Sequence, residues 1–154
     1  MKELPLVPAD FGVPRKLETD HFRLRMLSVE DVEKDYEAVV ESRDHLQSKF
    51  GREWPREGFT LEENLADLER HQREFLKREA FAYTVVSLDE HRVLGCVYID
   101  PTQHPAADAE VRMWVRQSEM ERGLDEILFQ TVQEWLESSW PFDSVVYPYR
   151  EGSS

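Results

Sequence analysis

Among the side chains able to do chemistry, the densest group lies in residues 115–126. There Gly123 sits in a turn ahead of an amphipathic run and is surrounded by Glu119, Glu121, Asp125 and Glu126. A glycine ahead of a helix lets backbone amides approach an anion, and the helix start adds unpaired donors and positive potential. Carboxylates at the same place work against that use. Two like charges about 4 Å apart repel by roughly 4 kcal/mol at a surface-type dielectric, whereas an acid in a first helical turn gains only about 0.3 to 1 kcal/mol from the dipole. Either the acids fill the anion site themselves, or they point into solvent and leave it usable. Elsewhere the chemistry is sparse. His21, His45, His71, His91 and His104 show no paired metal-ligand spacing and Cys96 is the single cysteine, so no metal is expected. There is no serine nucleophile elbow and no Walker loop.

The 154 residues suffice for one hydrophobic core. A net charge of −13 opposes a polyphosphate backbone, so nucleic acid is not an expected partner. The same field would draw in cationic amines, and it equally serves solubility. No stretch reaches the length of apolar residues needed to cross a bilayer, and a lone cysteine inside the apolar run 93–99 reads as a small buried hydrophobe in a reducing compartment. A cytoplasmic protein without a membrane anchor is expected.

Residues 1–16, punctuated by Pro5, Pro8 and Pro14, predict an extended arm, and 151–154 a polar tail around a single domain at 17–150. Alternation of Phe22, Leu24 and Met26 with charged residues predicts a strand over 21–27. Ser28 as an N-cap opens a helix to about residue 43, and residues 44–59 read as an ordered loop or a short helical turn. Thr60 with Glu63 forms a capping box for a helix to about residue 79. Strands follow at 81–87 and 93–100 as a hairpin, and at 109–116, where Val111, Met113 and Val115 alternate with Arg112, Trp114 and Arg116. A helix from Leu124 ends before Pro141, and 144–149 is a final short strand. This order predicts an α+β fold, a mixed and mostly antiparallel sheet flanked by helices.

The stretch Leu17-Glu18-Thr19-Asp20-His21-Phe22-Arg23-Leu24-Arg25, with Ser28 and Asp31 after it, resembles the opening strand and helix of the GNAT superfamily of acetyl-CoA-dependent N-acetyltransferases. Residues 109–115 resemble that family's fourth strand, and Gly123 with its helix resembles the pyrophosphate-binding turn. The resemblance spans 17–149. It implies acetyl-CoA as cosubstrate, with no metal. The cosubstrate would be held by the strand backbone at Met113, Trp114 and Val115 and by the turn at Arg122, Gly123 and Leu124. For the proton transfers it offers Glu110 first and Asp100 second as base, with Tyr147 or Tyr149 as acid. Two departures stand out. Met120 replaces a basic or amide residue while Glu121 and Asp125 replace small ones, and the sequence stops five residues after Tyr149, where the family continues with a helix and strands.

Two functions follow from the resemblance. One is an acyl-CoA N-acyltransferase acting on an unknown small-molecule or peptide amine. The other is a non-catalytic binding or oligomerisation module of the same fold, with a degenerate coenzyme site. A homodimer completed at the last strand, through Val145, Val146 and Tyr147, is a third expectation.

Overall fold

The computed structural model describes residues 5–148 and 150. Its sheet begins earlier than the alternating pattern does. Strand β1 (Lys16–Glu18) pairs antiparallel with β2 (Arg23–Met26), and the turn between them is closed by Thr19, whose hydroxyl accepts the amides of His21 and Phe22. Three residues with mostly exposed side chains give no readable period, which is why β1 escaped the sequence pattern. The arm before it is pinned to the domain. Val7 is buried, Arg78 donates to the carbonyls of Pro8 and Phe11, and the Tyr83 hydroxyl donates to Pro14.

Ser28 caps a 3-10 turn (Val29–Asp31) by accepting the Glu30 amide, and helix α1 (Val32–Glu41) follows. Ser42 separates α1 from a second short helix, α2 (Arg43–Phe50), which occupies part of the segment read as loop. Only Leu46 of α2 is fully buried, so no apolar stripe announces it. Thr60 accepts the Glu63 amide at 3.1 Å and starts α3 (Leu61–Leu76), which ends three residues before the expected stop as Arg78 turns to a φ of 63°.

Strands β3 (Phe81–Val86), β4 (Val93–Asp100) and β5 (Ala109–Val115) continue the antiparallel meander. A short helix α4 (Gln117–Met120) and the long α5 (Leu124–Ser139) then cross to β6 (Val145–Val146), which returns parallel to β5. The sheet order is β1-β2-β3-β4-β5-β6. Strand alternation sends successive side chains to opposite faces. On one face Tyr83, Val97 and Met113 meet Leu128, Val132 and Leu136 of α5. On the other, Ala82, Cys96, Tyr98 and Trp114 meet Ala38, Val39 and Leu68 of α1 and α3. Covered on both sides, β3 is wholly buried and β4 nearly so, which accounts for their continuous apolar runs. Cys96 is buried as expected. Among the described residues, no helix is long and apolar enough to cross a membrane.

The β4–β5 contact is tightest at Gly95, where an added Cβ would lie 2.0 Å from the Trp114 carbonyl oxygen. That clash is with backbone and cannot be relieved by a rotamer change. Gly95→Ala is therefore expected to destabilise the fold by about 3 kcal/mol, at the upper end of overpacking costs, measured as a lowered urea midpoint.

Candidate functional site

Strand β5 is bonded unequally along its two edges. Toward β4 it is paired from Glu110 to Val115, but toward β6 only Ala109 and Glu110 have partners before the strands part. The Arg116 amide donates to the Leu94 carbonyl, so the antiparallel alternation turns the even-numbered residues toward β4. Met113 and Val115 therefore direct their amides and carbonyls to the open side. Their side chains, with Trp114, are buried in the two cores, leaving only backbone for a ligand at these three positions.

At the far end of this opening lies the start of α5. Gly123 takes a φ of 75° and serves as the N-cap, no side chain caps the helix, and a Cβ there would meet nothing within 4 Å. The first-turn donors and the space above them suit an anion. Leu124 is buried and Arg122 exposed beside it. The four acids of this segment do not act together. Glu119 is buried and turned to Arg92, at 3.8 Å, while Glu121 and Glu126 face solvent. Asp125 is held by both terminal nitrogens of Arg150, at 3.0 and 2.9 Å, and that guanidinium lies 4.2 Å from the Phe129 ring centre. The charge of Asp125 also acts on His45 and Lys49 of α2, both of which burial pushes toward the neutral form.

The loop leading to this helix is bolted to α1. Arg116, 2% exposed, donates to Glu41, Glu37 and the Val93 carbonyl, while Gln117 and Ser118 give their amides to the Ser42 hydroxyl and the Glu41 carboxylate. Hydrogen bonding to Arg116 holds the Glu41 carboxyl down to about 2.

The three proton-transfer candidates differ sharply. Glu110 is half-buried beside the point where β6 leaves, and among the described residues its carboxylate forms no hydrogen bond or ion pair. Asp100 lies opposite it in the β4–β5 register but is bound to Arg112 at 2.7 Å, which makes it a poor base. Tyr147 is buried with its ring edge-on to Phe129, and burial pushes its hydroxyl up to about 12. A phenol that holds its proton this tightly is a poor acid for a thiolate, whose ordinary pKa is about 8.5. Tyr149 lies outside the described residues.

On the α1/α3 face of the sheet a cavity of about 330 Å³ opens between α1, α3 and the loop carrying Trp54, with Tyr98 and Arg112 on its sheet side. Arg112 and Glu110 sit on one face of β5, so the cavity and the open edge are neighbours across this strand. Asp35 lines the cavity at 3% exposure, accepting from Asn64 Nδ2 at 3.0 Å and from the Cys96 thiol at 3.6 Å. Burial pushes its pKa up to about 6. Among the described residues no group of three or more His, Cys, Asp or Glu is arranged to hold a metal ion.

No protein-family profile matches the chain, and no curated protein matches its sequence. Solved structures do match. Ribosomal-protein-S5-alanine acetyltransferase from Vibrio fischeri superimposes with a TM-score of 0.65 and 17% identity, covering 86% of this chain and 72% of that one. The microcin C7 self-immunity acetyltransferase MccE, solved with acetyl-CoA and AMP, gives 0.66 and 15% over 88% and 73%. The ribosomal L7/L12 alpha-N-protein acetyltransferase RimL, solved with coenzyme A, gives 0.65 and 16% over 84% and 71%. The chain has the GNAT fold.

Within this GNAT fold, Asp35, Lys49 and Arg150 are the site residues that sequence reading missed. An acid in the polar-looking α1 and cations 74 and 27 positions from Gly123 carry no local signal of where the chain will bring them. Asp35 has a readable consequence. Because folding raises its pKa from 3.8 to about 6, the folded state holds this proton more tightly than the unfolded chain, and Asp35's contribution to stability falls as pH rises through that window. His71, pushed down to about 4 by burial, changes in the opposite sense over the same range. Asp35→Asn removes only the first effect. Its stability relative to the native chain is expected to rise between pH 4 and pH 6 by on the order of 2 to 3 kcal/mol and then level off, as thermal midpoints across pH would show.

Proposed function

We propose that the chain is an acyl-CoA-dependent N-acyltransferase. The observation that carries this reading is the open edge of β5, with outward backbone at Met113 and Val115 set between an uncapped helix start and the unpaired carboxylate of Glu110. MccE and RimL, which share the fold, were solved with acetyl-CoA and with coenzyme A. In this reading the pyrophosphate is received by the amides of the Gly123–α5 turn, and the pantetheine arm and thioester lie along the open edge of β5. Arg122, exposed at the rim, adds charge attraction for phosphate. The acceptor amine approaches from the cavity side, and Glu110 takes its proton, directly or through water. Asp100, neutralised by Arg112, fixes that guanidinium between cavity and strand. Tyr147 shapes the β6 wall.

The alternative of a non-catalytic module of the same fold draws on the ion pair of Arg150 with Asp125, which places the protein's own charges where a pyrophosphate would dock. The two readings separate in titration. At low salt, acetyl-CoA is expected to bind the native protein below millimolar concentration. Asp125→Ala should tighten that binding by about fivefold to tenfold, the value of roughly 1 kcal/mol of relieved repulsion. Glu110→Gln should leave binding unchanged and lower acetyl transfer to primary amines by about 10²- to 10⁴-fold, read as released thiol. Absence of any heat at millimolar acetyl-CoA would remove the enzyme reading.

A further inference from the structure

The charged side chains around the cavity at α1 and α3 are paired off with one exception. Arg112 is bound to Asp100 at 2.7 Å; Asp67 accepts from Trp54 Nε1 at 3.1 Å and lies 3.8 Å from Arg70; Asp31, just beyond, is held by Arg25 at 2.5 and 3.0 Å. His71 is kept neutral by burial. Asp35 has only neutral partners, the amide of Asn64 and the thiol of Cys96, and the thiol is itself held protonated by burial. Carboxylates at Asp31 and Asp67 press on it further. A buried carboxylate without a cation is costly, and a cation placed in the adjoining cavity would offset that cost. The rings of Trp54, Phe50 and Tyr98 line the same cavity as apolar surface, with Arg112 lying 5.4 Å and His71 stacked 5.2 Å from the Tyr98 ring centre and Lys49 5.7 Å from that of Phe50.

We propose that this cavity binds a primary ammonium group, with Asp35 as its counter-ion and Trp54, Phe50 and Tyr98 as the walls around its apolar body. A volume of about 330 Å³ lies at the small end of ligand pockets and admits a small arylalkyl or alkyl amine, or one side chain of a larger molecule. An ammonium suits the site better than a divalent metal, which needs several free anionic donors, because Asp67 is already engaged by Trp54 and Arg70 and Asp35 is the carboxylate left without a cation. If the protein is the acyltransferase proposed above, this amine is the acceptor's recognition group. The binding itself does not depend on that reading.

The test is calorimetric titration of the protein, without any coenzyme, at low salt and pH 8. The probes are phenethylamine and its uncharged counterpart 2-phenylethanol. The amine is expected to bind at least about tenfold more tightly than the alcohol, the worth of one charge-assisted contact. In Asp35→Asn the amine should weaken by at least about tenfold while the alcohol is unchanged, with circular dichroism reporting that the variant is folded. Equal affinity of the two probes for the native protein would overturn the proposal, and so would a preference for the amine that survives in Asp35→Asn. Amine binding without acetyl-CoA binding would remove the enzyme reading alone, whereas acetyl-CoA binding without amine preference would remove only this one.

Discussion

Strand β5 is bonded along nearly its whole length to β4 and along only two residues to β6, and the rest of the molecule is arranged around that inequality. Unpaired backbone groups in a sheet must be satisfied by water, by another chain or by a ligand. Here they open between two covered faces, with a helix start at one end and a carboxylate at the other. The firm side depends on close approach. Gly95 lets the Trp114 carbonyl come within a distance no side chain would permit, and the Trp114 indole donates to the Tyr98 hydroxyl at 3.0 Å to lock the same pair of strands from the α1/α3 face. The open side stays open because α4 and α5 carry the chain away from the sheet before β6 returns.

Polar groups buried near this strand are placed with little slack. Arg116 ties the end of β5 to α1 through two glutamates, and the same Glu41 accepts a loop amide, so the turn before α5 is fixed at its first residues and left uncapped at its last. Charge is handled in the same way at the α5 start. Acids that looked collectively repulsive are divided between arginine partners and solvent, so the turn is neither a plain anion site nor a plain acidic patch. Asp35 is the exception on the opposite face, a buried carboxylate with neutral donors at the edge of a cavity.

What was legible in the sequence was whatever local spacing controls. Alternation at Phe22, Leu24 and Met26 and again at Val111, Met113 and Val115 marked β2 and β5, Thr60 and Glu63 marked the start of α3, and Gly123 marked a turn that does need positive φ. The short elements β1 and α2 were not legible, because one lacks a buried face and the other buries a single leucine. Within the candidate site, Glu110 was offered by the resemblance of residues 109–115 to the family's fourth strand and not by spacing. The pairings of Asp100 with Arg112, Asp125 with Arg150 and Asp35 with Asn64 could not be read, since they join residues 12, 25 and 29 positions apart through folding alone. These pairings decide which carboxylates remain available for chemistry.

On the function proposed above, the open edge of β5 and the start of α5 form one docking surface for a coenzyme. Hydrogen–deuterium exchange with and without saturating acetyl-CoA tests it at the backbone itself. Slowed exchange is expected at the amides of Met113 and Val115 and in the first turn of α5, with β3 and β4 unchanged. Protection confined to other segments, or none at these amides while the coenzyme is demonstrably bound, would contradict it.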